Sequence, residues 1–342
     1  MDIKKEEQYV ALKQKFDAYY MDTLKPILQK NDAVRHKYVL MFLILLAMSV
    51  FLYPLIIRHI LAGTLAMQDM SGAGAVLGLS GFLIMILCGP MYMYKCKAKA
   101  MIMPDFANFF GNFEYVYEQA IDNSVLQKSQ LFKPFMHNFG DDYFSGVYDN
   151  VHITIAEEEL SESKLNPNNN GGWISARNRY GRTFGRNRTD ENRTYKTVFK
   201  GICVLLEMNK NFAGQTVVLQ DRGILNAFYR VKGLERVRLE DSKFEKIFEV
   251  FSHDQIEARY LLTTAFMERM LKLRDLYDGK LIQFSFTDNK LLIAVQTKQN
   301  MFEANSFFRS NMNKKKIDLV FDQFYTVFSI IEILKLNQRL GM

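Results

Sequence analysis

Two apolar runs dominate the first hundred residues. Tyr38–Ile57 (YVLMFLILLAMSVFLYPLII) and Ala73–Tyr94 (AGAVLGLSGFLIMILCGPMYMY) contain no charged side chain. Each matches the roughly 20 residues that a helix needs to cross a hydrocarbon core about 30 Å thick. The pattern predicts transmembrane helices over 38–57 and 73–94, joined by an external turn over 58–72. Two core helices of a soluble protein are the bland alternative, and their length without a charge argues against it. Basic residues concentrate on the cytoplasmic side of a membrane protein. Here Lys25, Lys30, Arg35 and Lys37 precede the first run and Lys95, Lys97 and Lys99 follow the second, against Arg58 alone between them. Both termini are therefore expected to be cytoplasmic. The polar residues ahead of the first run, and its length, distinguish it from a cleaved signal peptide.

Spacings of three and four flank this hairpin. Tyr9, Leu12, Phe16, Tyr19 or Tyr20, Leu24 and Ile27 predict an amphipathic helix within 1–37. Phe106, Phe109, Phe113, Val116 and Ala120 predict a second within 95–140, starting at Pro104-Asp105. The two are expected to pair as an antiparallel stalk, unless each lies separately on a surface. Gly74-x-x-x-Gly78 permits close helix approach, to the first span for preference or to another copy in a homo-oligomer.

From about residue 141 the period changes to two. Phe144–Val147 and Val151–Ala156 read as a hairpin, Thr197–Met208 as a long strand, and Gln215–Leu219, Arg236–Leu239 and Ile247–Phe251 as further strands. A short helix or turn over Asp241–Lys246 separates the last two. Thr263 or Thr264 can cap a helix to Tyr277, with Met267, Met270 and Leu271 inward, broken by Asp278-Gly279. Leu281–Thr287 and Lys290–Val295 form a hairpin about Asp288-Asn289. A last helix, Lys316–Leu336, places Val320, Phe324, Val327, Ile331 and Leu334 on one face. Strands arrive in hairpins rather than alternating with helices, so the class is α+β: a two-helix transmembrane hairpin with flanking amphipathic helices, then a mostly antiparallel sheet domain over 141–342 with two or three helices.

The stretches TVFKGICVLLEMNKNFAGQTVVL, RLEDSKFEKIFEVFSHDQIEARYLLTTAFMERMLKL and IQFSFTDNKLLIAV resemble the bacterial domain-of-unknown-function 3137 family. Two N-terminal spans before a cytoplasmic domain are that family's usual layout, which implies a multi-pass protein of the bacterial inner membrane. The resemblance brings no catalytic residue. Its members' frequent neighbours, LemA-type membrane proteins, imply a membrane-protein partner.

Charge adds one feature. The chain carries a net +7, and the insert 161–196 supplies most of it: eight basic residues less three acidic ones give +5. Arg177, Arg179, Arg182, Arg186, Arg188 and Arg193 interleave there with Trp173, Tyr180 and Phe184. That mixture suits an anionic lipid surface, at about 1 kcal/mol per basic residue held near it. Single-stranded nucleic acid is the less favoured ligand, and a solvated, partnerless tip is the plain alternative.

Enzyme and cofactor signals are sparse. There is no Gly-x-x-x-x-Gly-Lys-Ser/Thr loop, no Gly-x-Ser-x-Gly elbow and no His-Glu-x-x-His. Cys88, Cys96 and Cys203 form no disulfide framework or metal spacing. No cofactor, metal or catalytic residue is assigned. His253-Asp254 could serve acid–base work, although a helix N-terminus explains Asp254 equally well. Glu157-Glu158-Glu159 reads as a solvated charge run ending a strand. The expectation is a membrane-anchored interaction or scaffold domain, with a lipid- or nucleic-acid-binding module and a membrane-tethered enzyme as rivals.

Overall fold

A computed structural model describes residues 3–67, 71–148, 150–165, 193–208, 214–221, 231–277, 280–297 and 299–334. The described residues divide into two compact units, one formed by those within 3–105 and 304–314, the other by those within 106–165, 193–303 and 315–334.

The first unit is built on long helices. Helix α1 (Ile3–Tyr19) passes through a π-helical turn (Tyr20–Leu24) into α2 (Lys25–Met67), and α3 (Ser71–Phe110) returns antiparallel. Pro26 explains the π turn: its ring would collide with the Asp22 carbonyl of a regular helix, and widening the turn removes the clash. Phe16, Tyr20, Leu24 and Leu28 are buried, and across from them so are Tyr94, Ala98 and Ile102. The Tyr19 hydroxyl donates to the Asp105 carbonyl at 3.1 Å, and the Tyr53 and Ser80 hydroxyls meet farther along the pair.

Several expectations change here. The external turn over 58–72 is helical as far as Met67. No new helix starts at Pro104-Asp105, since α3 runs through both. The expected helix over 95–140 stops at Phe110. Phe113 and Val116 lie instead in strand β1 (Asn112–Tyr117), where Phe113 packs on Phe328 at 5.1 Å. Gly74, Gly78 and Gly81 do not lie against the first helix either; a Cβ built on each meets nothing within 4 Å.

The second unit is one antiparallel sheet with helices. After β1 come α4 (Asn123–Lys128), β2 (His137–Tyr148), β3 (Val151–Leu165), β4 (Arg193–Glu207), β5 (Thr216–Gln220) and β6 (Glu235–Val237). Then follow α5 (Ser242–Glu245), β7 (Phe248–Ser252), α6 (Gln255–Leu261), α7 (Thr264–Leu276), β8 (Ile282–Thr287), β9 (Lys290–Gln296) and α8 (Lys314–Leu334). The strand order is β1-β2-β3-β4-β9-β8-β5-β7-β6. The α+β class stands, and the sheet begins at Asn112 rather than near 141. Thr263 caps α7 by accepting from the Phe266 N–H; Leu273, not Leu271, joins Met267 and Met270 inside. The expected breaker Asp278-Gly279 lies outside the described residues.

Each face of the sheet has its own core. On one, Phe324 of α8 stacks near Phe302 at 4.6 Å and Phe144 at 5.0 Å. All five expected inward residues of that helix are buried. On the other, Ile121, Leu126, Leu131 and Phe135 cover Ala156, Leu160, Phe199, Cys203 and Leu292.

Candidate functional site

Strands β2 and β3 pair residue for residue from Tyr148↔Val151 to Tyr143↔Ala156, and the next pair is Gly140↔Glu158. Asp141 and Asp142 thus stand opposite the single residue Glu157. This is a β-bulge, which leaves one residue unpaired and re-aims its neighbours. It gathers three carboxylates whose oxygens lie within 4.8 Å of one another, all of them buried.

Buried carboxylates need compensation, and donors surround these three. The Tyr115 hydroxyl donates to Asp142 Oδ1 at 2.7 Å, Asn300 Nδ2 to Asp141 Oδ2 at 3.4 Å, and the Met301 N–H to Glu157 Oε2 at 3.0 Å. Lys200 Nζ donates to Asn300 Oδ1 at 2.7 Å and to Glu159 Oε2 at 3.4 Å, which puts a cation one hydrogen bond from the cluster. Burial, then the Asp142 charge, push the Tyr115 phenol far above its ordinary range, so it stays a donor. Among the described residues, the oxygens of Asp141, Asp142 and Glu157 form a group that could hold a hard divalent cation.

Glu158 faces the opposite core. Its Oε1 accepts from the Ile121 N–H at 2.6 Å, and burial pushes its carboxyl up to about 8. Glu158 is therefore mainly a neutral acid at pH 7. Cys203, buried in the same core, is pushed up by burial and then by Glu158, which leaves an unreactive thiol.

The structure thus corrects the reading of Glu157-Glu158-Glu159. Glu157 and Glu158 lie within β3, at 2% and 0% exposure, and Glu159 pairs with Lys200. The sequence signal for this cluster is an adjacent pair of carboxylates within a strand, Asp141-Asp142. His152 points outward, 4.0 Å from Glu207. Asp254 caps α6 through the Ile256 and Glu257 N–H groups, so that carboxylate has a structural task. Trp173, Arg177, Arg179, Tyr180, Arg182, Phe184, Arg186 and Arg188 lie outside the described residues. Arg193 opens β4 opposite Leu165.

A cleft of about 200 Å³ lies between α4 and the β8–β9 turn, lined by Ser124, Lys128, Thr287, Asp288 and Lys290 among others. It falls below the roughly 300–1,000 Å³ usual for ligand pockets.

Residues 197–336 match the family model described as "Protein of unknown function (DUF3137)", so the resemblance seen in the sequence holds over that stretch. No curated protein matches the chain. Among solved structures, the mycobacterial trehalose monomycolate transport factor A, TtfA, is similar over 70% of this chain and 96% of that one, at 10% identity and a TM-score of 0.33. A likeness that shallow carries nothing further.

Proposed function

We propose that the chain carrying this domain is a membrane-anchored interaction protein, in which α2 and α3 cross the bacterial inner membrane and hold the sheet unit in the cytoplasm for a membrane-protein partner. One observation supports it most. Both helices are long and apolar enough to cross a membrane, and their side chains are turned outward: Phe51, Leu55 and Leu77 are 74%, 64% and 74% exposed. Exposed apolar surface on that scale calls for lipid or a partner.

Carbonate extraction and protease treatment of inverted vesicles test this reading. The chain should stay in the membrane, with the sheet unit cleavable only from the cytoplasmic side. Release into the soluble fraction would overturn it. Affinity capture from gently solubilised membranes should then return a stoichiometric membrane protein, a LemA-type protein being the first candidate. Turnover of a metabolite that Glu157→Gln abolishes would make the chain a tethered enzyme instead.

A second reading concerns anionic lipid. β3 and β4 stay paired out to Leu165↔Arg193, so a two-stranded ribbon carries the Arg-rich insert at its end. Replacing Arg177, Arg179, Arg182, Arg186 and Arg188 by Gln should weaken salt-sensitive binding to phosphatidylglycerol vesicles. Unchanged binding would remove this reading, and loss of binding to single-stranded RNA alone would transfer it to nucleic acid.

A further inference from the structure

The segment Ala304–Lys314 (ANSFFRSNMNK) belongs to the helical unit although the whole run from Gly111 to Glu303 separates it from α3, and more still from α2. Polar contacts fasten it there. The Asn311 N–H donates to Asp32 Oδ1 at 3.1 Å, and Asn311 Nδ2 donates to Asn31 Oδ1 at 2.7 Å and to the Tyr94 hydroxyl. Arg35 Nη1 donates to the Phe307 carbonyl at 3.3 Å while its Nε holds Asp32 at 2.8 Å. Asn31 and Asn311 are 0% and 1% exposed. This loop is therefore held by a buried network, at the ends of the two apolar runs.

Its tip is apolar. Phe307 and Phe308 both pack edge-on against Phe42, at 5.8 and 5.9 Å between ring centres. Phe42 lies about one helical turn inside the first apolar run. Phe308 is nevertheless 64% exposed, and apolar residues next in sequence to the rings that the loop touches, Leu43 beside Phe42 and Met93 beside Tyr94, are 51% and 54% exposed. Arg309 follows at once, exposed, and Lys37 and Lys97 are exposed just outside the two apolar runs.

We propose that Phe307-Phe308 is an interfacial wedge, seated among the headgroups and first acyl carbons of the leaflet at the Tyr38 and Tyr94 ends of the helices, with Arg309 on anionic headgroups. The occupant of this face is lipid because Phe307 and Phe308 pack on Phe42, inside an apolar run most of whose side chains are exposed, and because exposed basic residues lie close to them in sequence. Aromatic side chains followed by a cation suit that boundary. The wedge rests on the membrane reading above, and gives the domain a second hold on the bilayer beyond the spans.

Single-tryptophan probes in the full chain test it. With Trp173→Phe as background, Phe308→Trp and Leu46→Trp are each reconstituted into phosphatidylcholine–phosphatidylglycerol vesicles containing lipids brominated at shallow or deep acyl positions. Phe308→Trp should lose emission, most to shallow bromines, and Leu46→Trp most to deep ones. Leu46→Trp quenched with Phe308→Trp unquenched would overturn the wedge and leave the membrane reading standing. If that unquenched probe is also blue-shifted, protein covers the face, a second copy included. Failure of both probes to quench would overturn both readings. Should Phe308→Trp not fold, Ser310→Trp, at the next exposed turn of the loop, reads the same outcome.

Discussion

Glu158 shows how much one buried side chain can set. Its carboxyl rises from an ordinary value of 4.5 to about 8 because burial penalises the charge. The folded chain then holds a proton that the unfolded chain releases, so stability is full below 4.5 and falls as pH rises toward 8, by up to about 1.4 kcal/mol per pH unit. Urea unfolding of the detergent-solubilised chain should show that decline, and Glu158→Gln should flatten it. An unaltered slope in the variant would place the titration elsewhere. Asp32 has the opposite sign. Burial alone would raise it, but hydrogen bonds from Arg35 and Asn311 and the nearby charges of Arg35 and His36 outweigh burial and hold it low. Its contribution is present above the ordinary carboxylate value and is lost as pH falls through the folded one. Acid should loosen the helical unit's loop first, which amide exchange at Asn311 would report. At the bulge, Tyr115→Phe removes a hydrogen bond to the buried carboxyl of Asp142. That should cost about 1–3 kcal/mol in the same unfolding experiment. A neutral result would mean that Asp142 is protonated or otherwise satisfied.

Among elements, legibility followed the strength of local signals. The β8–β9 hairpin was readable because Asp288 and Asn289 tolerate positive φ, here 51° and 60°, in the two-residue turn that such strands require. The α7 start was readable from its cap, and Thr263→Ala should cost about 1 kcal/mol of stability, measurable by thermal unfolding. A loss within error would show that another group takes over the Phe266 N–H. Strand β1 was misread because Phe113, Val116 and Ala120 repeat at helical spacing, while Phe113, Tyr115 and Tyr117 alternate equally well. Pairing with β2 decided between the two, and pairing is not local. The acidic cluster was hidden for a related reason. It depends on a one-residue shift between β2 and β3, whose one mark in the sequence is the adjacent pair Asp141-Asp142, while its partner Glu157 is fixed only by strand pairing. Likewise the docking of Ala304–Lys314 on α2 and α3 joins residues too far apart in sequence for any pattern to report.

At the scale of the molecule, two kinds of hydrophobic surface have opposite fates. The sheet unit buries Phe144, Phe302 and Phe324 against one another, whereas the apolar runs of α2 and α3 present Phe51, Leu55, Leu77 and Phe82 outward. That division predicts separable responses to mutation. Phe324 is fully buried between Phe144 and Phe302, and Phe324→Ala should cost about 3–5 kcal/mol through the cavity it leaves. Against a domain stability of about 5–15 kcal/mol, the sheet unit of the variant should open often enough for limited proteolysis to degrade it. On the proposed membrane reading, the helices, satisfied by lipid and by their own backbone hydrogen bonds, should remain as a protected membrane fragment that includes residues 38–57 and 73–94. Recovery of that fragment, with loss of the fragment containing Phe144 and Phe302, would show that the bilayer and not the sheet holds the hairpin. If the helical fragment is lost as well, the hairpin depends on the folded domain, and the buried contacts of Asn31, Tyr94 and Asn311 would be the first place to look for the coupling.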